Sequence, residues 1–270
     1  MARLKGWTRG WWLGGINECR FSCNNMNMLG ERTLMEMDGL YHCTSLNALT
    51  SILMCKAFYP FFCLEEVSYL KDSIRFAFAV VCFADLRRSE LKEHMRNFSS
   101  EVYIKMNKDW AIRKNVSPVT YYSKKSTLSS AIYRALVDYA ADHKEERKIF
   151  YPVNLMLGLL KQYRGHYYDK NIKAFSSREV CFYLEREWRY LPLVMDGEAY
   201  YMEESDFLNE SLRRVKQQEL VDHKYVLGFI WDDILEVGGS FKHSVALINI
   251  LSKLFSVSKL EAASKVKWIY

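Results

Sequence analysis

Phe76-Ala-Phe-Ala-Val-Val-Cys-Phe83 is an unbroken apolar run. It is too short to cross a membrane and lacks the polar alternation of a half-wet strand. Such a run reads as a β-strand buried on both faces, closed by Asp85. Upstream, Leu40-Tyr-His-Cys43 reads as a short strand. Thr44-Ser45 caps a helix whose Leu46, Leu49, Ile52 and Leu53 recur at helical spacing. A turn follows at Tyr59-Pro60.

Downstream, Ser89-Glu90-Leu91 begins a helix that carries His94. Val102–Met106 alternates as a half-buried strand, and Pro118–Tyr122 is another short strand. Residues 126–164 carry a helical pattern: Leu128, Ile132, Leu136 and Tyr139, then Val153, Met156, Leu157 and Leu160. Val180–Leu191 reads as the strongest strand of the second half. Val226–Ile230 and Ile234–Val237 are strands around a turn at Trp231-Asp232-Asp233. A helix over 243–255 and a last strand, Val266–Ile269, complete the order. This order shows no repeating βαβ alternation, which makes α+β the expected class.

The chain has 270 residues, is 50% hydrophobic and 15% aromatic, and holds only 12 Gly and 4 Pro. That composition excludes a disordered tail, a collagen-like repeat and a low-complexity linker. No stretch reaches the apolar length of a transmembrane helix, so no membrane role is expected. The 7 Cys, with no recognisable signal peptide, suit a reducing cytoplasm with free thiols. Half of the net charge of +6 sits in residues 1–34, where Arg3, Lys5, Arg9, Arg20 and Arg32 face Glu18 and Glu31. Trp7, Trp11 and Trp12 lie in the same stretch, and Met26, Met28, Met35 and Met37 each offer an alternative start. Residues 1–37 are therefore expected to be a poorly ordered or accessory N-terminal segment. Residues 38–270 are expected to form a single domain.

The common catalytic signatures are missing: no Walker A loop, no Gly-x-Gly-x-x-Gly, no Gly-x-Ser-x-Gly and no His-Glu-x-x-His. The His at 42, 94, 143, 166, 223 and 243 have no metal-ligand spacing, and Cys19 and Cys23 lack a second pair, so no metal site is expected. Two places stand out. Tyr41-His42-Cys43-Thr44-Ser45 puts a histidine where a strand runs into a capped helix; such a histidine is as readily a structural one bonded to a carbonyl. Glu185-Arg186-Glu187-Trp188-Arg189, read as a strand, puts Glu185, Glu187 and Arg189 on one face. Phe182, Leu184, Trp188 and Tyr190 then form the opposite, core-facing side. Paired carboxylates beside an arginine suit a cleft that stabilises developing positive charge.

Together these stretches resemble the ADP-ribosyltransferase fold and, more closely, the abortive-infection AbiGi family of bacterial phage-resistance proteins. The resemblance also draws on Val81–Asp85, His94, Pro118–Tyr122, Lys161–Gly165, Phe182–Pro192 and the Asp233-Ile234 turn, and covers roughly residues 39–240. It implies two small mixed sheets around a cleft with flanking helices. By the resemblance, Glu187 is the catalytic carboxylate and Glu185 lies nearer the acceptor. His42 fixes the other ribose of NAD, the substrate cofactor. Thr44, Ser45, Phe83, Asp85, Tyr122 and Arg189 complete the NAD site, although Cys82 stands where many transferases carry a stacking Tyr.

The implied function is a phage-defence toxin that transfers ADP-ribose from NAD to RNA or DNA, restrained by a protein antitoxin. The Lys/Arg/Tyr-rich connection Lys161–Lys173 is the expected contact with nucleic acid. The family's label of antitoxin implies the alternative: a non-catalytic binding component of a toxin–antitoxin pair that kept the fold and lost the chemistry.

Overall fold

The computed structural model describes residues 39–67, 75–142, 156–169, 172–192, 201–222 and 224–269. All of these belong to the compact unit Glu36–Tyr270. The N-terminal segment 1–37, with its Trp and Met residues and Cys19 and Cys23, lies outside the described residues, as do His143, Val153 and His223.

Strand β1 (Gly39–Thr44) leads directly into the helix Leu46–Cys55. Ser45 caps that helix, its Oγ accepting from the Ala48 N–H at 3.2 Å. Leu49 and Leu53, one turn apart, are fully buried, and Lys56, at φ 50°, ends the helix in the left-handed region. Then come β2 (Ala57–Phe58), β3 (Phe61–Glu66) and β4 (Arg75–Ala84), the last built on the apolar run. The helix Arg88–Asn97 precedes β5 (Val102–Asn107), and a short helix, Lys108–Arg113, precedes β6 (Ser117–Pro118) and β7 (Thr120–Tyr122).

The helical pattern read over 126–164 holds over Thr127–Asp142 and at Met156, Leu157 and Gly158, whereas Leu160–Gln162 is strand β8, paired parallel with β7. After the short strands β9 (Arg164–Gly165), β10 (Tyr168–Asp169), β11 (Ala174–Phe175) and β12 (Val180–Cys181) comes β13 (Glu187–Tyr190). Strand β14 (Tyr201–Glu203) and the helices Glu204–Leu208 and Glu210–Asp222 follow. Last come β15 (Leu227–Gly228), β16 (Ile234–Gly239), the helices Ser244–Phe255 and Lys259–Lys265, and β17 (Val266–Trp268).

The class is α+β, as expected. The expectation of two small separate sheets is not met. Among the described residues a nine-stranded sheet runs β17-β16-β5-β1-β4-β13-β6, with β3 and β14 also paired to β4. Strand β4 is long enough to serve two sets of partners. Its residues 75–80 pair with β3, and 76–78 with β14, while Val81–Ala84 pair with β13 and Ala84 with β1. Two groups of strands are thus joined along one strand.

Both faces of that strand are covered, which is why its sequence carries no alternation. Val81 and Phe83 pack with Leu49, Leu53, Phe58 and Trp110 beneath the helices Leu46–Cys55 and Ser244–Phe255. Ala77 and Ala79 pack with Phe62, Phe207 and Leu220; Phe78 and Val80 pack with Ile132, Leu160 and Leu191. Each large side chain so buried contributes about 1.5–3 kcal/mol.

Candidate functional site

Between Val80, the last residue paired with β3, and Ala84, the residue paired with β1, the wall of a cleft is exposed. It carries Cys82 and Phe83 and belongs to a cavity of about 680 Å³. Strand β1 contributes Tyr41 to Thr44, β3 contributes Cys63 to Glu66, and β8 contributes Leu160 to Gln162. His94 comes from the helix Arg88–Asn97, and Glu185 and Glu187 come from the chain around β13.

Ala84 pairs with Tyr41 on one edge and Glu187 on the other, so β1 and β13 flank β4 rather than one another. His42 and Glu187 therefore lie two strand spacings apart, about 10 Å across the sheet. Both belong to the lining of the cleft, but Tyr41, Ala84 and Glu187 share one face of the sheet and the neighbouring His42 leaves the other, its ring against Phe58 and Phe83.

The stretch 180–191 is not one strand. Phe182–Glu185 is a 3₁₀ turn and Arg186 sits at φ 43°, so the two-residue alternation begins only at Glu187. Within β13 the alternation is the reverse of the expected one. Glu187 and Arg189 are buried, at 4% and 1% exposure, while Trp188 and Tyr190 are half-buried and Leu184 stands 66% exposed. The physical reason is a set of buried ion pairs that the sequence does not display.

The centre of that set is Lys161, whose ammonium lies 2.5 Å from Glu187 Oε2, 3.4 Å from Glu185 Oε2 and 3.8 Å from Glu65 Oε1. Arg189 Nε donates to Glu187 Oε1 at 2.7 Å, and its terminal nitrogens donate to Glu65 and to the Gly158 carbonyl at 2.8 Å. Both oxygens of Glu187 are thus occupied by cations. Tyr121 fixes the backbone here, its hydroxyl accepting from the Glu187 N–H at 2.8 Å.

The electrostatics follow from these contacts. Burial alone would raise the Glu187 carboxyl, but Arg189 and Lys161 hold it well below the usual carboxylate range. Burial pushes Glu185 up to about 7, because the single ammonium near it is shared and Glu187 repels it. Burial works against the Lys161 ammonium, yet Glu185, Glu187 and Glu65 together keep it firmly charged. His94 is pulled down to about 4 by burial. His42 is also lowered by burial, opposed by the hydrogen bond its Nδ1 donates to the Cys82 carbonyl at 2.8 Å. That bond fixes the tautomer, and Phe58 and Phe83 pack against the ring. His42 is a histidine held by a carbonyl, the structural reading of its segment.

Of the residues read from the sequence, His42, Thr44, Ser45, Phe83, Glu185 and Glu187 line the cleft. Asp85, Tyr122 and Arg189 do not. Asp85 is buried and takes the Lys108 ammonium at 2.6 Å; Tyr122 is packed with Phe78 and Ile132; Arg189 lies under the floor. The start of the helix at Ser45 is also engaged, because the Leu46 N–H donates to Glu101 Oε2 at 3.1 Å and Ala48 N–H to Ser45 Oγ. The Leu46, Ala48 and Leu49 donors that could have met a phosphate are therefore already used.

Glu65, Glu66 and Gln162 were not foreseen. The signal for Glu65 and Glu66 was the run Phe61-Phe-Cys-Leu-Glu-Glu66, an apolar strand ending in paired carboxylates. Lys161, expected to contact nucleic acid, is instead buried in the ion cluster, and Gln162 donates to the Glu66 carbonyl at 2.9 Å. Among the described residues no group of His, Cys, Asp or Glu is arranged to hold a metal ion, and no helix is long and apolar enough to cross a membrane.

A family model described as "Putative abortive phage resistance protein AbiGi, antitoxin" matches residues 56–237. The matched span includes Glu65, Glu66, Lys161, Glu185, Glu187 and Arg189 but not His42, Thr44 or Ser45. No curated protein and no solved structure matches the chain. The antitoxin description overturns the expectation that the chain is the ADP-ribosylating toxin of such a pair, and favours the non-catalytic alternative.

Proposed function

We propose that this chain, which belongs to the AbiGi family, is the antitoxin of an abortive-infection pair: a binding protein that restrains a toxin in the cytoplasm. The family match carries the reading. The ion cluster supports it, since a carboxylate that must stabilise an oxocarbenium ion works through charge available to the substrate. Glu187 spends that charge on Arg189 and Lys161.

The scaffold on this reading is an ADP-ribosyltransferase-like cleft turned to binding. Cys82 in place of a stacking tyrosine, and a helix start closed by Glu101, support a loss of NAD chemistry. The partner is then a protein toxin, and neither NAD nor a nucleic-acid target is needed.

The test is reconstitution. The chain and the toxin encoded beside it, expressed together, should co-purify as a stoichiometric complex in which the toxin is inactive. A toxin that stays active and separate beside an equal amount of folded chain would remove the antitoxin reading.

A further inference from the structure

The charged residues lining the cleft are unbalanced. Among the described residues, Glu65, Glu66, Glu185 and Glu187 line it, against the single ammonium of Lys161. Lys161 is already shared among Glu65, Glu185 and Glu187, and the guanidinium of Arg189 beneath is spent on Glu65, Glu187 and a carbonyl. Glu66 forms no ion pair among the described residues. Burial lowers His42 and His94, and His166, whose Nδ1 meets the Ser176 carbonyl at 2.7 Å, is the remaining imidazole among the described lining residues. Uncompensated charge in a partly closed cavity is costly, and a guest of opposite sign removes that cost. The walls also carry aromatic rings: Phe182 already takes the Lys161 ammonium at 4.5 Å, and Tyr167 and Tyr168 line the same cavity. Ring faces beside carboxylates favour cations. An anionic guest such as a pyrophosphate would meet carboxylates and, among the described lining residues, no ammonium or guanidinium that is not already paired.

We infer that this cleft receives a guanidinium or ammonium group, with Glu66 and Glu185 as its acceptors and aromatic rings beside it. The group comes either from an arginine or lysine side chain of the toxin or from a free polyamine-like cation. The first source rests on the antitoxin reading; the pocket itself does not. A cavity of about 680 Å³ holds either.

The probe is agmatine, an alkyl guanidinium, titrated into the full chain by calorimetry while the ring signals of His42 and His94 are followed by NMR. Saturable binding is expected, with both histidine signals moving. Affinity should be higher at pH 8 than at pH 6, because Glu185 must give up its proton. Glu66→Gln, which breaks no ion pair among the described residues, should weaken binding ~10-fold, as should Glu185→Gln; tenfold is about 1.4 kcal/mol. ADP-ribose should leave the signals unmoved. The inference is overturned if folded protein shows no saturable agmatine binding, if neither substitution weakens it, or if ADP-ribose binds in its place. In the presence of the toxin, competition with agmatine assigns the guest to a toxin side chain, and undiminished agmatine binding assigns it to a free cation. Failure of the antitoxin reading shows separately, as loss of the toxin complex with agmatine binding intact.

Discussion

At the scale of single residues, the ion cluster decides more about stability than about chemistry. Glu187 is buried against both Arg189 and Lys161, so its charge is part of the fold. Removing one member of a buried pair strands its partner, at about 3–5 kcal/mol. Arg189→Met should therefore lower unfolding free energy by about 3–5 kcal/mol, and Glu187→Gln should lower it measurably, both read from urea unfolding. Unchanged midpoints would show that the pairs are not formed.

Glu185 gives the opposite sign. Its folded-state carboxyl, near 7, lies above the unfolded value, so the native state holds the extra proton and loses stability as pH rises through that range. His42 and His94, lowered by burial, act the other way as pH falls through the unfolded histidine value, so the comparison with a variant is the clean one. The melting temperature of Glu185→Gln should match the parent near pH 5 and exceed it near pH 8. The gain is roughly 2–4 °C for each kcal/mol relieved. A constant difference across that range would mean Glu185 titrates as an exposed acid.

At the scale of elements, legibility followed how local the determining forces were. Strand β4 was readable because burial on both faces leaves an uninterrupted apolar run. The helix Leu46–Cys55 was readable because its cap and its buried leucines are neighbours in sequence. Ser45→Ala should cost about 1 kcal/mol through that cap, measured by chemical unfolding; no loss would show that other donors and acceptors replace it. Residues 180–191 were misread because a 3₁₀ turn and a left-handed Arg186 interrupt a sequence that alternates like a strand. The burial of Arg189 depends on Glu65, far away in the chain, which no local period could reveal. Likewise Leu160 keeps helical spacing with Met156 and Leu157, which are helical, yet it enters β8 by pairing with the distant β7.

At the scale of the whole molecule, one long strand joins two groups of strands, and the cleft lies where its partners change. The sequence placed six of the expected residues on that cleft, including His42 and Glu187, because strand ends and caps mark themselves locally. It missed the paired acids of β3 and the lysine of β8, which arrive through tertiary pairing. What remains at the cleft is a floor of ion pairs under an acidic wall, and a helix start largely engaged, an arrangement suited to holding a partner. NAD at millimolar-order concentration should accordingly leave the melting curve unchanged, since a ligand raises stability only when it binds the native state; a dose-dependent rise would contradict that.

The central claim, that the chain restrains a toxin, is tested most directly by growth. Cells expressing the chain alone should grow as controls do, cells expressing the neighbouring toxin should arrest, and cells expressing both should grow. Arrest by the chain alone, relieved by Glu187→Gln at equal soluble expression, would contradict the account.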